Sequence, residues 1–287
     1  MTALWFALYM GFFAAPPSGY ESQIEDWRAK REAGLKADDG WLSVAGLFWL
    51  HEGDNPAGND PNAVVTLPEG AKSIGVFRFH NAKASFVPGS PDVLLNGKPV
   101  TGPIALQSDE NMATPDRLAY HDVSLTVIKR GTRHAIRMRD KNSVMRRGFT
   151  GLHWYPVRDA LRFEAKFVMY PQPKTISVPN ILNEVDEQKS IGYAEFTYQG
   201  QRYTLEPVVE GDQLFYIFKD QTAGKETYPA GRFLYSEMPK DGHVVLDFNK
   251  AYNPPCAFTP YATCPLPPKQ NRLLVRIEAG ELKYGKH

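Results

Sequence analysis

Along most of the chain, hydrophobic and polar positions alternate in the two-residue period of β-strands, and turn residues interrupt them roughly every ten residues. Residues Tyr120–Ile128 alternate in this way, turn at Arg130-Gly131 and return as His134–Arg139. Asn96-Gly97, between two short apolar runs, is the strongest local signal for a β-hairpin. The pattern predicts an antiparallel β-sandwich in the amino-terminal half.

The carboxy-terminal half continues the same pattern. The strands predicted there are 161–170, 193–198, 202–205, 208–209, 214–218, 231–235, 243–248 and 273–278. They are numerous enough to close a small barrel or to form a second sandwich. The predicted fold is therefore mostly β, with two antiparallel parts, a sandwich followed by a small barrel or sandwich, and one amino-terminal helix.

That helix is predicted over Ser22–Ala33. Ser22 is a typical N-cap, and Glu25 three residues later completes a capping box. Ile24 and Trp27 lie at helical spacing and are expected to pack onto the body of the protein. Gly34 is the predicted stop.

The first residues, Met1–Gly19, contain no charged side chain, and Ala3–Ala15 is almost continuously apolar. This run is shorter than the about 20 residues of a transmembrane helix, but it has the length of a signal-peptide core. We therefore expect residues 1–19 to be a signal peptide and the mature chain to begin near Tyr20. The protein would then be periplasmic or secreted, and no later segment is predicted to span a membrane.

Composition narrows the classes of partner. Lys and Arg number 33 against 32 Asp and Glu, so the net charge of +1 gives no field that would attract nucleic acid. Hydrophobic residues make up 43% of the chain, which excludes a disordered protein. The sequence contains no G-x-S-x-G, no phosphate-binding glycine loop and no H-E-x-x-H, and we expect no cofactor.

A junction is predicted near residues 141–148, which divides the chain into domains at 20–145 and 146–287. Three segments of the first domain, Gly53–Pro61, Val93–Lys98 and Ile136–Ser143, resemble a forkhead-associated-type sandwich. Such domains bind phosphothreonine through a loop arginine, but Gly53–Asp60 contains no Arg. The resemblance therefore implies the fold alone, and we do not expect phosphopeptide binding.

The segment Asp247–Pro268 stands out because it holds both cysteines and six of the 23 prolines. Proline lacks a backbone donor and fixes φ, so this segment is neither a helix nor a central strand. It is predicted to be a long ordered loop, and such loops often carry function.

This loop and its neighbours resemble the signature of a bacterial and archaeal family known as domain of unknown function 1684. The matching pieces are Phe218–Tyr228, Gly231–Leu234, Asp247–Pro268 and Asn271–Glu281, with further agreement over Gly40–Gly53 and Gly151–Val157. The resemblance covers nearly all of the mature chain. It implies no particular activity.

Cys256 and Cys264 are separated by seven residues. In an exported protein the leading prediction for them is a disulfide that closes the loop. A tetrahedral metal site with His153 or His243 and Asp247 is a second hypothesis. A catalytic cysteine with His243 as base and Asp247 as its partner is a third.

A binding site for a small polar ligand is predicted in the carboxy-terminal half. An alternating strand places Val244, Leu246 and Phe248 on one side, while Asp247 faces the other side, opposite Arg232. A buried Arg–Asp pair suits a carboxylate or phosphate ligand, although such pairs are often architectural. The candidate ligand-binding residues are Arg232, Asp247, Asn249, Tyr252, Asn253 and Tyr228.

Two other classes of function remain open. One is a hydrolase that uses Asp247 with His243 or a cysteine, which requires the base to lie within about 3 Å of its partner. The other is a structural envelope protein, which predicts an exposed apolar patch in place of a pocket.

Overall fold

We analysed a computed structural model of the chain, which describes residues 19–110 and 114–285. The predicted signal peptide lies outside the described residues, apart from Gly19. The described part is mostly β, with several antiparallel sheets and one long amino-terminal helix, as predicted.

The amino-terminal helix, α1, spans Gly19–Lys36 and is longer at both ends than the capping signals predicted. Ser22 lies inside its first turns, and the helix continues through Gly34 because the buried Leu35 holds the last turn against the body. Ile24 is fully buried and Trp27 contacts the ring of Trp154, which confirms the predicted packing face.

Two antiparallel sheets form the amino-terminal half. Its strands are β1 (Val44–Trp49), β2 (Gly53–Gly58), β3 (Val65–Thr66), β4 (Gly75–His80), β5 (Lys83–Pro88), β6 (Leu94–Leu95), β7 (Lys98–Pro99), β8 (Ile104–Leu106), β9 (Arg117–Tyr120), β10 (Val123–Arg130) and β11 (Arg133–Asp140). One sheet has the order β1-β11-β10-β9-β6-β7, and the other has the order β3-β2-β4-β5-β8, in which β3 alone pairs in parallel. A shared core that includes Phe77 and Phe86 from one sheet and Leu125 and Ile136 from the other makes this half a sandwich.

A short helix, α2 (Val144–Arg147), leads into the carboxy-terminal half. The strands there are β12 (Arg162–Pro179), β13 (Val185–Tyr198), β14 (Gln201–Leu205), β15 (Val208–Glu210), β16 (Gln213–Phe218), β17 (Arg232–Glu237) and β18 (His243–Asp247). They form the sheets β14-β13-β12-β18 and β15-β16-β17. The two sheets pack around one core and, within the described residues, neither closes into a barrel.

Strand β16 is buried on both faces. Leu214, Tyr216 and Phe218 point into the core between the two sheets. Phe215 and Ile217 point the other way, into a second core. That core is covered by the segment 247–268, called here the Cys-Pro loop, so the loop packs as an additional layer on the sandwich.

Residues 273–278, predicted as a last strand, are not a strand in the structure. Leu273, Val275 and Ile277 are buried while Leu274 is exposed, which explains the alternating sequence pattern. The backbone of this run pairs with residues 219–221 at Leu273 and Val275. At Ile277 it is bonded by the buried side chains of Asp220 and Arg232.

Because Gly34 lies inside α1 with open space around the position of a Cβ, we expect Gly34→Ala to stabilise the protein. Alanine in a helix interior is favoured over glycine by about 0.5–1 kcal/mol. Urea denaturation measures the change in the free energy of unfolding. If α1 ended at Gly34, the same substitution would instead be destabilising.

Gly280→Ala is the matched control. Gly280 has a φ of +81°, and an added Cβ would lie 2.4 Å from the carbonyl oxygen of Ala251, so this variant should be clearly destabilised.

Candidate functional site

A cleft of about 440 Å³ opens between α1 and the ends of β16, β17 and β18. Its walls combine aromatic rings with charged and amide side chains. The lining residues are Tyr20, Gln23, Trp27, Arg162, Gln213, Tyr235, Ser236, Glu237, Val245, Asp247, Lys250 and Tyr252.

Asp247, the last residue of β18, is the buried acid of this cleft. Its Oδ1 accepts a hydrogen bond from the Tyr20 hydroxyl at 2.8 Å and others from the backbone and side-chain nitrogens of Asn249 at 3.2 Å. Among the described residues all hydrogen bonds to this carboxylate go to Oδ1. Oδ2 is therefore the atom that can accept a bond from a ligand.

Asn249 fixes the turn behind Asp247. Its Nδ2 donates to the Tyr20 hydroxyl at 3.0 Å and to the carbonyl of Arg158 at 2.9 Å, and its Oδ1 accepts the Arg158 N–H at 2.9 Å. Asn249 is fully buried, so it positions Asp247 without lining the cleft itself.

Tyr20 connects the helix to the acid. Burial raises the pKa of its hydroxyl, and the hydrogen bond to Asp247 raises it further, so Tyr20 remains a proton donor at neutral pH. This contact fixes the first turn of α1 against β18. It thereby positions Gln23 and Trp27, which form the α1 side of the cleft.

The opposite wall is a set of aromatic rings. Tyr252 stacks parallel to Tyr235, with ring centroids 6.4 Å apart, and it lies at the same distance from Trp27 at a tilt of 55°. The Tyr252 backbone also pairs with that of Phe233 in an isolated β-bridge. The rings offer flat apolar surfaces at the base of a polar cleft.

Two cations, Arg162 and Lys250, complete the lining. The Arg162 guanidinium lies 5.9 Å from the centroid of the Tyr20 ring. Within the described part of the chain neither cation forms an ion pair, so both charges are available to a ligand.

Arg31 and Glu281 support the aromatic wall from behind. Arg31 of α1 lies 4.5 Å over the Tyr252 ring, donates to the carbonyl of Asn253 at 3.0 Å and faces Glu281 with its Nε 3.5 Å from Oε2. Glu281 is fully buried, and that burial raises the pKa of its carboxyl to about 7 although Arg31 acts in the opposite direction.

Arg232 does not belong to the cleft, and the predicted Arg232–Asp247 pair is wrong. Its guanidinium bonds to Asp220 Oδ1 at 3.2 Å, to the carbonyl of Ile277 at 2.9 Å and to the carbonyl of Ala279. Arg232 is 1% exposed. It faces the core side of β17, so its role is to bind the backbone of the carboxy-terminal run.

Two other predicted ligand residues are also elsewhere. Asn253 is fully buried and donates to the carbonyl of Leu282 at 2.7 Å. The Tyr228 hydroxyl donates to the carbonyl of Cys256 at 3.1 Å, and its ring packs in the cluster that holds Leu35. Of the six candidates, the cleft is lined by Asp247 and Tyr252.

Both cysteines are free, so the predicted disulfide is not formed in the structure. They are nevertheless adjacent, because the Cys256 N–H donates to Cys264 Sγ at 3.1 Å.

The catalytic pair of His243 and Asp247 is not assembled either. The two residues are four positions apart on β18, which corresponds to about 13 Å. The His243 ring is exposed, with its Nδ1 3.0 Å from the carbonyl oxygen of Asp241. Across residues 19–110 and 114–285, no group of three or more His, Cys, Asp and Glu side chains could hold a metal ion.

The fold and cleft define a mostly β protein with a polar, aromatic-walled site. Residues 147–282 match the model of a family described as "Protein of unknown function (DUF1684)". The carboxy-terminal part of the chain, which supplies most of the cleft lining, is therefore similar to this family, in agreement with the motifs noted in the sequence.

A solved structure is also similar to the chain. It is the solution NMR structure of an uncharacterized protein from gene locus rrnAC0354 of Haloarcula marismortui, 28% identical, with a TM-score of 0.40. The similarity covers 48% of this chain and 78% of that one. Comparison with the curated proteins gave no match.

None of the helices in the described ranges is both long enough and apolar enough to cross a membrane.

Replacing Arg232 tests whether it is a structural residue. We expect Arg232→Met to lower the free energy of unfolding by about 3–5 kcal/mol, because it leaves the Asp220 carboxylate buried without its partner. Urea denaturation measures the loss of stability in Arg232→Met, in Asp220→Asn and in the double variant. The double variant should lose less stability than the two single variants added together. Arg202→Ala, at an exposed ion pair, is the control and should change stability by less than about 0.5 kcal/mol. A neutral Arg232→Met would contradict the structural role.

Glu281 predicts a pH dependence of stability. The folded protein binds this proton more tightly than the unfolded chain, so the stability that it contributes is present below pH 4.5 and is lost as the pH rises to about 7. The stability of wild type minus that of Glu281→Gln should therefore fall by about 3 kcal/mol between pH 4.5 and 8. Urea denaturation at several pH values measures this difference. A difference that stays flat would show that Glu281 titrates normally.

Proposed function

We propose that the protein binds a small polar ligand in the cleft between α1 and β16–β18. The observation that carries this proposal is the combination of a buried acid, Asp247, with two unpaired cations around aromatic walls in a single 440 Å³ cleft. Ligand pockets typically have volumes of about 300–1,000 Å³ and few, well-placed polar groups. A molecule of monosaccharide size fits this volume.

The chemistry of the walls defines the ligand further. Asp247 Oδ2 accepts a hydrogen bond, so the ligand carries a hydroxyl or amine at that point. Arg162 and Lys250 favour an acidic group, because a guanidinium pairs well with carboxylate or phosphate. Tyr252 and Tyr235 pack against an apolar face. A hydroxylated organic acid, such as a sugar acid, combines these properties.

The proposal includes export to the periplasm or the medium. The charge-free apolar run of residues 3–15 supports it, because such a run followed by small and turn residues is typical of a signal peptide.

A defined panel of compounds tests the cleft. Glucuronate, gluconate, glucose 6-phosphate and neutral glucose are compared by thermal shift, and any that bind are measured by calorimetry. We expect an acidic member to bind, and Arg162→Ala and Asp247→Asn each to raise its Kd by about tenfold or more, as the loss of a charge-assisted hydrogen bond predicts.

Lys166→Ala is the matched control. Lys166 is exposed on β12 four residues after Arg162, on the same face, but it does not line the cleft. Its replacement should leave the Kd unchanged. Equal losses in Arg162→Ala and Lys166→Ala would mean that binding follows overall charge, and the cleft would then not be the site.

A further inference from the structure

The Cys-Pro loop brings two thiols of different exposure together. Cys256 lies in a short 3-10 turn, Pro255–Ala257, and is partly exposed, whereas Cys264 is 3% exposed. The 3.1 Å bond from the Cys256 N–H to Cys264 Sγ places the second sulfur against the backbone of the first cysteine. An accessible thiol beside a buried one is the arrangement of an attacking and a resolving cysteine.

Tyr228 and Cys264 both contact Cys256. The Tyr228 side chain reaches the same residue, with its hydroxyl 3.1 Å from the Cys256 carbonyl oxygen. The hydrogen bond from the Cys264 thiol lowers the pKa of Cys256, although burial opposes it, and the bond from Tyr228 lowers it as well. The same bond between the sulfurs, together with burial, raises the pKa of Cys264. Cys256 therefore ionises first and Cys264 keeps its proton.

A buried positive charge lies next to this pair. Arg137 of β11 is only 6% exposed, and its guanidinium carbon lies 5.1 Å from the centroid of the Trp41 ring. Nε and Nη2 of Arg137 have no hydrogen-bond partner among the described residues. Burial lowers the pKa of Arg137 to about 10, which leaves it charged at neutral pH. The Arg137 charge lowers the pKa of Cys264, whereas Cys256 and burial raise it. Arg137 therefore favours the thiolate form of Cys264.

The pair also lies where the two halves of the protein meet. Thr263 accepts a hydrogen bond from Arg130 Nε at 3.1 Å, and Thr259 donates to the carbonyl of Val44 at 2.9 Å. The loop is thus bonded at two points, on either side of Ala262, to the amino-terminal sandwich.

We propose that Cys256 and Cys264 form a thiol–disulfide exchange site for small-molecule disulfides, with Cys256 as the nucleophile and Cys264 as the resolving thiol. This site is separate from the cleft, and neither cysteine lines it. The pair is a reversible dithiol, in contrast to the permanent staple that the cysteine spacing predicted.

The exchange proceeds in two balanced steps. The Cys256 thiolate attacks one sulfur of the small disulfide, forms a mixed disulfide and releases one thiolate. Cys264 then loses its proton to that thiolate or to water and attacks Cys256 Sγ. This step releases the second small-molecule thiolate. The small disulfide is reduced to two thiols, and the two cysteines are oxidised to one disulfide.

Oxidised glutathione is the probe for the test, with the full-length reduced protein and intact mass as the readout. We expect the wild type to lose the mass of two hydrogens, and dithiothreitol to restore it. Cys264→Ser should stop at the mixed disulfide with one glutathione attached. Cys256→Ser should react at least about tenfold more slowly, because the remaining thiol is buried and protonated.

Tyr228→Phe tests whether the tyrosine acts on the Cys256 thiol and not only on the fold. It should shift the pH profile of Cys256 alkylation by iodoacetamide, measured in the Cys264→Ser background, to higher pH and lower the rate at pH 7 by about tenfold. Tyr261→Phe, in the same loop, is the matched control and should leave the profile unchanged.

Two results would overturn the proposal. Equal reaction of both cysteines without an intramolecular bond would show two independent thiols. A bond that forms but resists dithiothreitol in the folded protein would show a permanent structural disulfide.

Discussion

The backbone of the carboxy-terminal segment, residues 248–285, imposes the main constraint on this structure. It crosses the sandwich with isolated bridges in place of strands, so its buried carbonyls need other partners. Backbone N–H groups of other segments bond to some of these carbonyls. Buried side chains bond to others: Arg232 to those of Ile277 and Ala279, and Asn253 to that of Leu282. Without these bonds the segment would bury unsatisfied polar groups, at a cost of about 1–3 kcal/mol each.

This constraint places both candidate sites. Asn271, on the same segment, donates to the carbonyls of Glu206 and Ile217, which fixes the run beyond the Cys-Pro loop to β16. At the other end Asn249 holds the turn after β18 and orients Asp247. The same segment therefore carries Asn249 beside Asp247, Tyr252 at the cleft and both cysteines of the Cys-Pro loop. Helix α1 then closes the cleft through Tyr20 and Arg31.

The difference between supporting and ligand-facing residues follows from burial. Arg232, Asn253 and Asn249 carry the same chemistry as ligand residues, but each is almost wholly enclosed. Their donors are bound by backbone carbonyls and, for Arg232 and Asn249, by neighbouring side chains as well. Asp247 retains one oxygen for a ligand, and Tyr252, whose ring lies under Arg31, lines the cleft.

The sequence by itself determined the β character, the helix near residue 24, the alternating face of β18 and the similarity of residues 147–282 to a known family. Each of these depends on a local period or a contiguous motif. It also marked Asp247 and Tyr252 as site residues. It could not assign Arg232 to Asp220, or place Tyr20, Trp27 and Arg162 beside Asp247, since these residues are far apart in the chain. Which polar side chain serves the backbone and which faces the cleft was decided by the tertiary structure, because burial and the partners within reach depend on how the segments pack.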